Sequence, residues 1–124
     1  MSKITNLIAR QVYDSRGNPT IEAEVFANNM RARAICPSGA STGTHEAYEK
    51  RDTSNKKYLG RSVLNAVKLV NKIISKKLRN QNIHNQEKID YILIKLDGTK
   101  QKKKFGANAL LAISMAVKKL SARI

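Results

Sequence analysis

Apolar and polar positions alternate most cleanly in Thr20–Phe26, where Ile21, Ala23 and Val25 are interleaved with Thr20, Glu22 and Glu24. That two-residue period predicts a strand with one face turned to a core. Arg31–Cys36 repeats it, with Arg31, Arg33 and Ile35 set against Ala32, Ala34 and Cys36. Its inner face is therefore made of small residues. Ile4–Tyr13 is a third strand-like segment, with a more mixed pattern at Ile4, Leu7, Ile8, Val12 and Tyr13. Asp14–Pro19 is dense in turn formers, and Asn28-Asn29 separates the other two segments as a hairpin requires. An antiparallel meander is the simplest arrangement.

The period then changes. Residues 37–44 carry no large apolar side chain and read as a loop of hydroxyls and backbone amides, and Glu46–Arg51 is expected to form a short helical turn. In Ser62–Leu78, Val63, Ala66, Val67, Val70, Ile73, Ile74 and Leu78 fall at three- and four-residue steps, while Lys68, Lys72, Lys76, Lys77 and Arg79 mostly take the other faces. Asn85–Leu96 places Ile89, Ile92, Leu93 and Leu96 on one stripe and ends at Asp97-Gly98, where glycine suits a left-handed cap. Ala107–Leu120 carries Leu110, Ile113, Ala116, Val117 and Leu120, among alanines that permit close packing. Strands followed by helices make the class α+β. There is no internal repeat.

A length of 124 residues allows one ordinary domain, 1–124. The purest apolar run, Ala109–Ile113, is far short of a membrane span, and the first ten residues lack the apolar core of a signal peptide. The single Cys36 excludes an internal disulfide and suits a cytoplasmic location; beside Pro37 it reads as a small buried residue. Charge changes the picture more. The net charge is +15, and residues 53–124 hold 17 basic and 3 acidic side chains, against 7 and 6 in residues 1–52. A basic half of that kind suits nucleic acid or an anionic surface. Against that, aromatic residues are only 5% and only Phe105 lies by the basic tract Lys100–Lys104, so no stacking platform is present. Lysine on solvated faces, with compensating acids elsewhere, is the plainer explanation. An apolar Ile124 at the end of a helix also suits a chain that continues.

The run Asp14-Ser15-Arg16-Gly17-Asn18-Pro19-Thr20, followed by Pro37-Ser38-Gly39-Ala40-Ser41-Thr42-Gly43, is similar to the amino-terminal domain of the enolase family. His45-Glu46-Ala47, Arg51-Asp52, Leu59-Gly60, Ala66-Val67 with Asn71, Leu96-Asp97-Gly98-Thr99 and Phe105-Gly106-Ala107-Asn108-Ala109 extend the resemblance, in order, from about Ile4 to Ala122. Departures occur at Lys50, at Thr53–Lys56 and at Arg61-Ser62, none of which touches Ser41. The resemblance implies a three-stranded antiparallel meander followed by about four helices, which caps a larger barrel domain absent from these residues. It implies a phosphopyruvate hydratase, a carbon–oxygen lyase interconverting 2-phosphoglycerate and phosphoenolpyruvate plus water in glycolysis and gluconeogenesis. That enzyme uses Mg²⁺ and is a homodimer or higher oligomer.

Carried over residue by residue, Ser41 matches a ligand of the second magnesium. Ser38, Gly39, Ala40, Thr42, Gly43 and His45 match the mobile substrate loop, and Arg16 and Glu22 match subunit contacts. No catalytic acid or base falls in this segment; those groups belong to the barrel, supplied in cis or by another subunit. Each residue also has an ordinary reading. Ser41 alone is a loop serine, His45 is a helix-start histidine, and His84 is a surface residue. Arg16 and Glu22 suit salt bridges inside the domain. The segment by itself is expected to be inactive. The alternative function is a standalone basic binding or scaffold domain, with sequence-blind binding of nucleic acid and no catalysis.

Overall fold

Three strands, β1 (Asn6–Tyr13), β2 (Pro19–Ala27) and β3 (Met30–Ile35), form one antiparallel sheet in the order β1-β2-β3. The computed structural model describes residues 2–37, 48–54 and 57–124. The Asp14 carboxylate accepts the backbone N–H groups of Arg16 and Asn18, both at 2.9 Å, which closes the β1–β2 turn. Asn28 and Asn29 both adopt left-handed φ (53° and 61°), so Ala27 and Met30 pair across a two-residue hairpin. Asparagine tolerates that conformation better than most residues.

The helices follow. α1 (Leu64–Leu69), a π-helical turn (Val70–Ile74) and α2 (Ser75–Leu78) run on as one rod. α3 (Gln86–Asp97) starts at Asn85, whose side chain accepts the Lys88 N–H, and stops at Gly98 with φ 68°. α4 (Ala107–Arg123) is the longest and packs on β2 and β3. The meander and the helix count therefore agree with the expected α+β class. Among the described residues no helix is long and apolar enough to cross a membrane.

The core lies between the inner sheet face and the helices. Ala32, Ala34 and Cys36 of the β3 arm are buried, as their alternation predicts, and Ala109, Ala112 and Ala116 of α4 are buried with them. Small residues on both sides let the helix approach the sheet closely. β1 is an edge strand, and α1 and its π turn close its free edge. The Asn71 side chain accepts the Ala9 N–H (2.8 Å) and donates to the Ala9 carbonyl (3.0 Å). Gln11 Oε1 accepts both the Val63 N–H and the Ser62 hydroxyl, which serves the open end of α1. Ser75 Oγ donates to the Asn71 carbonyl (2.6 Å), inside the widened turn.

Two expectations change. Of the expected helical turn Glu46–Arg51, residues 46–47 lie outside the described residues, and Tyr48–Arg51 is not helical, because its backbone groups bond to the loop and helix beside it. The alternation of β2 does not produce one wet face: Thr20, Glu22 and Glu24 are buried too, since β2 is central and arginines of its neighbours close over the two carboxylates.

Candidate functional site

The substrate-loop and metal candidates Ser38, Gly39, Ala40, Ser41, Thr42, Gly43 and His45 lie outside the described residues. Both stems that carry this segment are described. The first stem is the end of the β3 arm. Cys36 N–H donates to the Ile21 carbonyl (3.0 Å), the Thr20 hydroxyl donates to the Cys36 carbonyl (2.8 Å), and the Cys36 thiol points to the Pro37 carbonyl (3.4 Å). Burial pushes the Cys36 thiol up to about 11; the Glu49 carboxylate adds to this and the Arg51 guanidinium opposes it. Glu49 and Arg51 belong to the other stem, which lies beside the first because Arg51 bonds the Pro19 carbonyl while Cys36 bonds the next residue of β2, Thr20. A thiol of that kind is inert at neutral pH.

The second stem, Tyr48–Asp52, is an irregular segment held along its length. Tyr48 N–H donates to the Gln101 carbonyl (2.7 Å), and Ala107 N–H donates to the Tyr48 carbonyl (2.6 Å). Asn108 accepts the Lys50 N–H (3.0 Å) and donates to the Lys50 carbonyl (3.2 Å). The Arg51 guanidinium donates to the carbonyls of Pro19 (2.8 Å) and Arg61 (2.6 Å), tying the start of β2 to the turn before α1. Asp52 N–H donates to the Ser62 carbonyl (2.8 Å). Gly106 faces this stem with φ 90°, and a Cβ there would come within 2.5 Å of the Lys50 Cβ and 2.8 Å of its nitrogen.

Asp97 supports the stem from behind. Its carboxylate accepts the Phe105 N–H (2.9 Å), the Thr99 N–H (3.1 Å) and, at close range, the Thr99 hydroxyl. Burial alone would raise its pKa. The hydrogen bonds from Phe105, Thr99 and Lys104 outweigh that and hold the carboxyl below its ordinary value. The loop that supplies the Gln101 carbonyl is thus folded around one ionised carboxylate.

A second cluster covers the outer sheet face. Arg10 bridges Glu22 (2.6 Å) and Glu24 (2.9 Å), and Arg31 lies 3.6 Å from Glu24. Glu22 is only 6% exposed and Glu24 7%. The two subunit-contact candidates are therefore not brought together. Glu22 is paired within the domain to Arg10, while Arg16 sits on the exposed β1–β2 turn. His84 is exposed and bonds Ser121 Oγ at 3.0 Å, as a surface residue should. Among the described residues no group of three or more His, Cys, Asp or Glu side chains could hold a metal ion.

The positioning residues Asn108, Asp97, Arg51, Gln11 and Asn71 carry no functional expectation from residue type alone. A signal was present all the same. Arg51-Asp52, Leu96-Asp97-Gly98-Thr99 and Phe105–Ala109 stand out in the sequence as separated short motifs, and the fold assembles all three around one loop stem.

Comparison with known proteins agrees with this assembly. The family described as "Enolase, N-terminal domain" matches residues 4–124. The chain is 69% identical over 124 residues to an enolase of Pelagibacter ubique (strain HTCC1062), covering all of this chain and 30% of that protein. It is 51% identical over 122 residues to "Enolase 2" of Methanospirillum hungatei JF-1, covering 98% of this chain and 28% of that protein. It is 52% identical over 120 residues to an enolase of Methanosarcina mazei, covering 97% and 28%. The chain spans less than a third of the length of these curated relatives. A match over nearly every residue, across a sheet, four helices and the stems of one loop, places this chain in the enolase amino-terminal domain family.

Proposed function

We propose that this chain is the capping domain of a longer cytoplasmic enolase that interconverts 2-phosphoglycerate and phosphoenolpyruvate plus water in glycolysis and gluconeogenesis. One observation supports the reading beyond the family: the described residues on either side of segment 38–47 form two adjacent stems, each held to the domain by hydrogen bonds. That arrangement lets a loop move while its ends stay fixed, as closure over a substrate requires.

In this reading Ser38, Gly39, Ala40, Thr42, Gly43 and His45 cover the substrate, and Ser41 is a ligand of the second magnesium. A serine hydroxyl is a hard, neutral oxygen, suited to Mg²⁺ as one ligand beside substrate phosphate and too weak to hold it alone. Magnesium bound there supplies Lewis-acid stabilisation of developing negative charge. The chain's own residues do the positioning. Arg51, Asn108 and Gly106 fix the second stem, Thr20 and Cys36 fix the first, and closure excludes water from the reacting centre. The acid and base come from a barrel domain in cis or from another subunit. Arg16 and Glu22 face a second copy in a homodimer or higher assembly; Glu22 meets it already paired to Arg10.

The test begins with the native polypeptide, detected in its own cells with an antiserum against this segment. A band several times heavier than 13.8 kDa, with magnesium-dependent hydratase activity in the immunoprecipitate, is expected. Ser41→Ala in that protein should lower turnover and raise the magnesium needed. A band at 13.8 kDa with no associated activity overturns the reading.

A further inference from the structure

The rod α1–π turn–α2 is buried along a straight line. Ala66, Val70, Ile74 and Leu78 are all fully buried, at a constant spacing of four. A regular α-helix cannot keep such a line. It advances about 100° per residue, so each four-residue step overshoots a turn by roughly 40°, and three steps would rotate the stripe by about 120°. The π turn Val70–Ile74 inserts one residue and takes up that overshoot. The same correction acts on the opposite side of the rod. Lys68, Lys72 and Lys76 are each two residues after a buried position and share its four-residue spacing. They are all exposed, and they stand in one row directly away from the core with a pitch of about 6 Å.

Among the described residues no acid forms an ion pair with this row. Residues 53–86 contain no Asp or Glu. The salt bridges of the described residues all lie elsewhere, on the sheet and at Glu49–Arg51. Like charges four apart on a helix repel, so the row costs stability in isolation. A regularly spaced anion would relieve it.

From this we propose that the Lys68–Lys72–Lys76 row is a docking track for the phosphate backbone of duplex nucleic acid, bound without sequence preference. Three features select that occupant. The row is a convex line of point charges on a rigid rod, which matches a regular line of phosphates. Lysine ammonium groups lack the planar fork that reads base edges, so the track positions without specifying. Of the rod's large apolar side chains only Leu64, at one end of the row, is exposed (41%), so the rod presents no continuous apolar face to insert into a lipid surface. The proposal is independent of the enolase reading.

The experiment measures binding of this chain to a fluorescently labelled random-sequence duplex by anisotropy, from 25 to about 200 mM salt. Three phosphate contacts predict that the plot of log K against log salt becomes shallower by about 2.7 in Lys68→Gln/Lys72→Gln/Lys76→Gln. The control Lys100→Gln/Lys103→Gln/Lys104→Gln removes the same charge from the loop before α4 and should leave the slope close to the parent's. The row variant should also melt no lower than the parent, since it loses repulsion and keeps helix-forming residues, and this guards against mere unfolding. Equal loss in both variants would mean that total charge binds, and would overturn the track. So would an absence of duplex binding at the lowest salt. So would binding of polyglutamate or anionic vesicles that is tighter than duplex binding and is lost in the row variant.

Discussion

Asn108 holds Lys50 by both of its backbone groups, accepting from the N–H at 3.0 Å and donating to the carbonyl at 3.2 Å. Asn71 does the same to Ala9 on the other side of the domain. In each case one amide side chain stands in for a missing neighbouring strand. The Lys50 pairing lies at the re-entry of segment 38–47, so it links the scaffold to the segment in which the proposed function resides.

Asn108→Ala should leave the Lys50 N–H and carbonyl without partners beside a buried position. A loss of roughly 2–4 kcal/mol is expected. Urea unfolding measures it, and limited proteolysis should show earlier cleavage around 48–50. Asn108→Asp keeps the acceptor but loses the donor, so it should fall between the two. If Asn108→Ala unfolded like the parent, the stem would not depend on this pairing.

Gly106 and Gly98 separate two costs. Both have positive φ, but a Cβ at Gly98 meets nothing closer than the Lys95 carbonyl at 3.7 Å, while one at Gly106 collides with Lys50. Gly98→Ala should cost about 1 kcal/mol, the left-handed penalty alone. Gly106→Ala should cost about 2–4 kcal/mol, because the stem must also shift. Comparable midpoints for the two variants in a denaturant series would contradict this.

Asp97 gives stability an acid limb. Its folded pKa is depressed, so the unfolded chain takes up the proton more readily. Its contribution is present in full above the ordinary carboxylate range and is lost as pH falls through the folded value. The parent should therefore lose stability steeply below about pH 4. Asp97→Asn should be weaker at pH 7 and flatter below pH 4. Urea midpoints at pH 7, 4 and 3 would decide the matter; parallel curves for the two proteins would remove Asp97 as the cause.

Arg10 neutralises two buried carboxylates at once. Among the described residues, Arg10→Ala leaves Glu22 without an ion-pair partner and Glu24 with only the more distant Arg31. A buried charge stripped of its partner is costly, but Arg10 itself is partly exposed, so about 1–3 kcal/mol is expected. Adding Glu22→Gln to Arg10→Ala should restore part of it. A thermal melt of the double variant below that of Arg10→Ala would show that Glu22 needs its charge for another reason.

Cys36 should resist alkylation. With the thiol raised from 9.0 to about 11, its thiolate fraction at neutral pH falls about 100-fold. Iodoacetamide at pH 7.5 should modify it slowly in the native chain and rapidly in urea. Fast native labelling would mean that the β3 arm opens readily at Pro37.

Much of the architecture was legible in the chain by itself. The two-residue period of β2 and β3, the small inner face of Ala32, Ala34 and Cys36, the stop at Gly98 and the stripe of α4 are local properties. Local sterics and hydrophobic period determine them wherever the segment folds. The short motifs around Arg51, Asp97 and Gly106 marked the family because six of them lie in register. Tertiary structure decided what periodicity cannot carry. Glu22 and Glu24 read as solvent-facing until Arg10 and Arg31 close over them from the neighbouring strands. Tyr48–Arg51 reads as a helical turn until Gln101, Ala107 and Asn108, more than fifty residues away, take its backbone groups. The π turn of Val70–Ile74 is invisible in propensity, since it arises where the rod must keep one line of contact with the sheet while Asn71 reaches Ala9. In each case the deciding partner is distant in sequence, so only the folded chain brings its energy to bear.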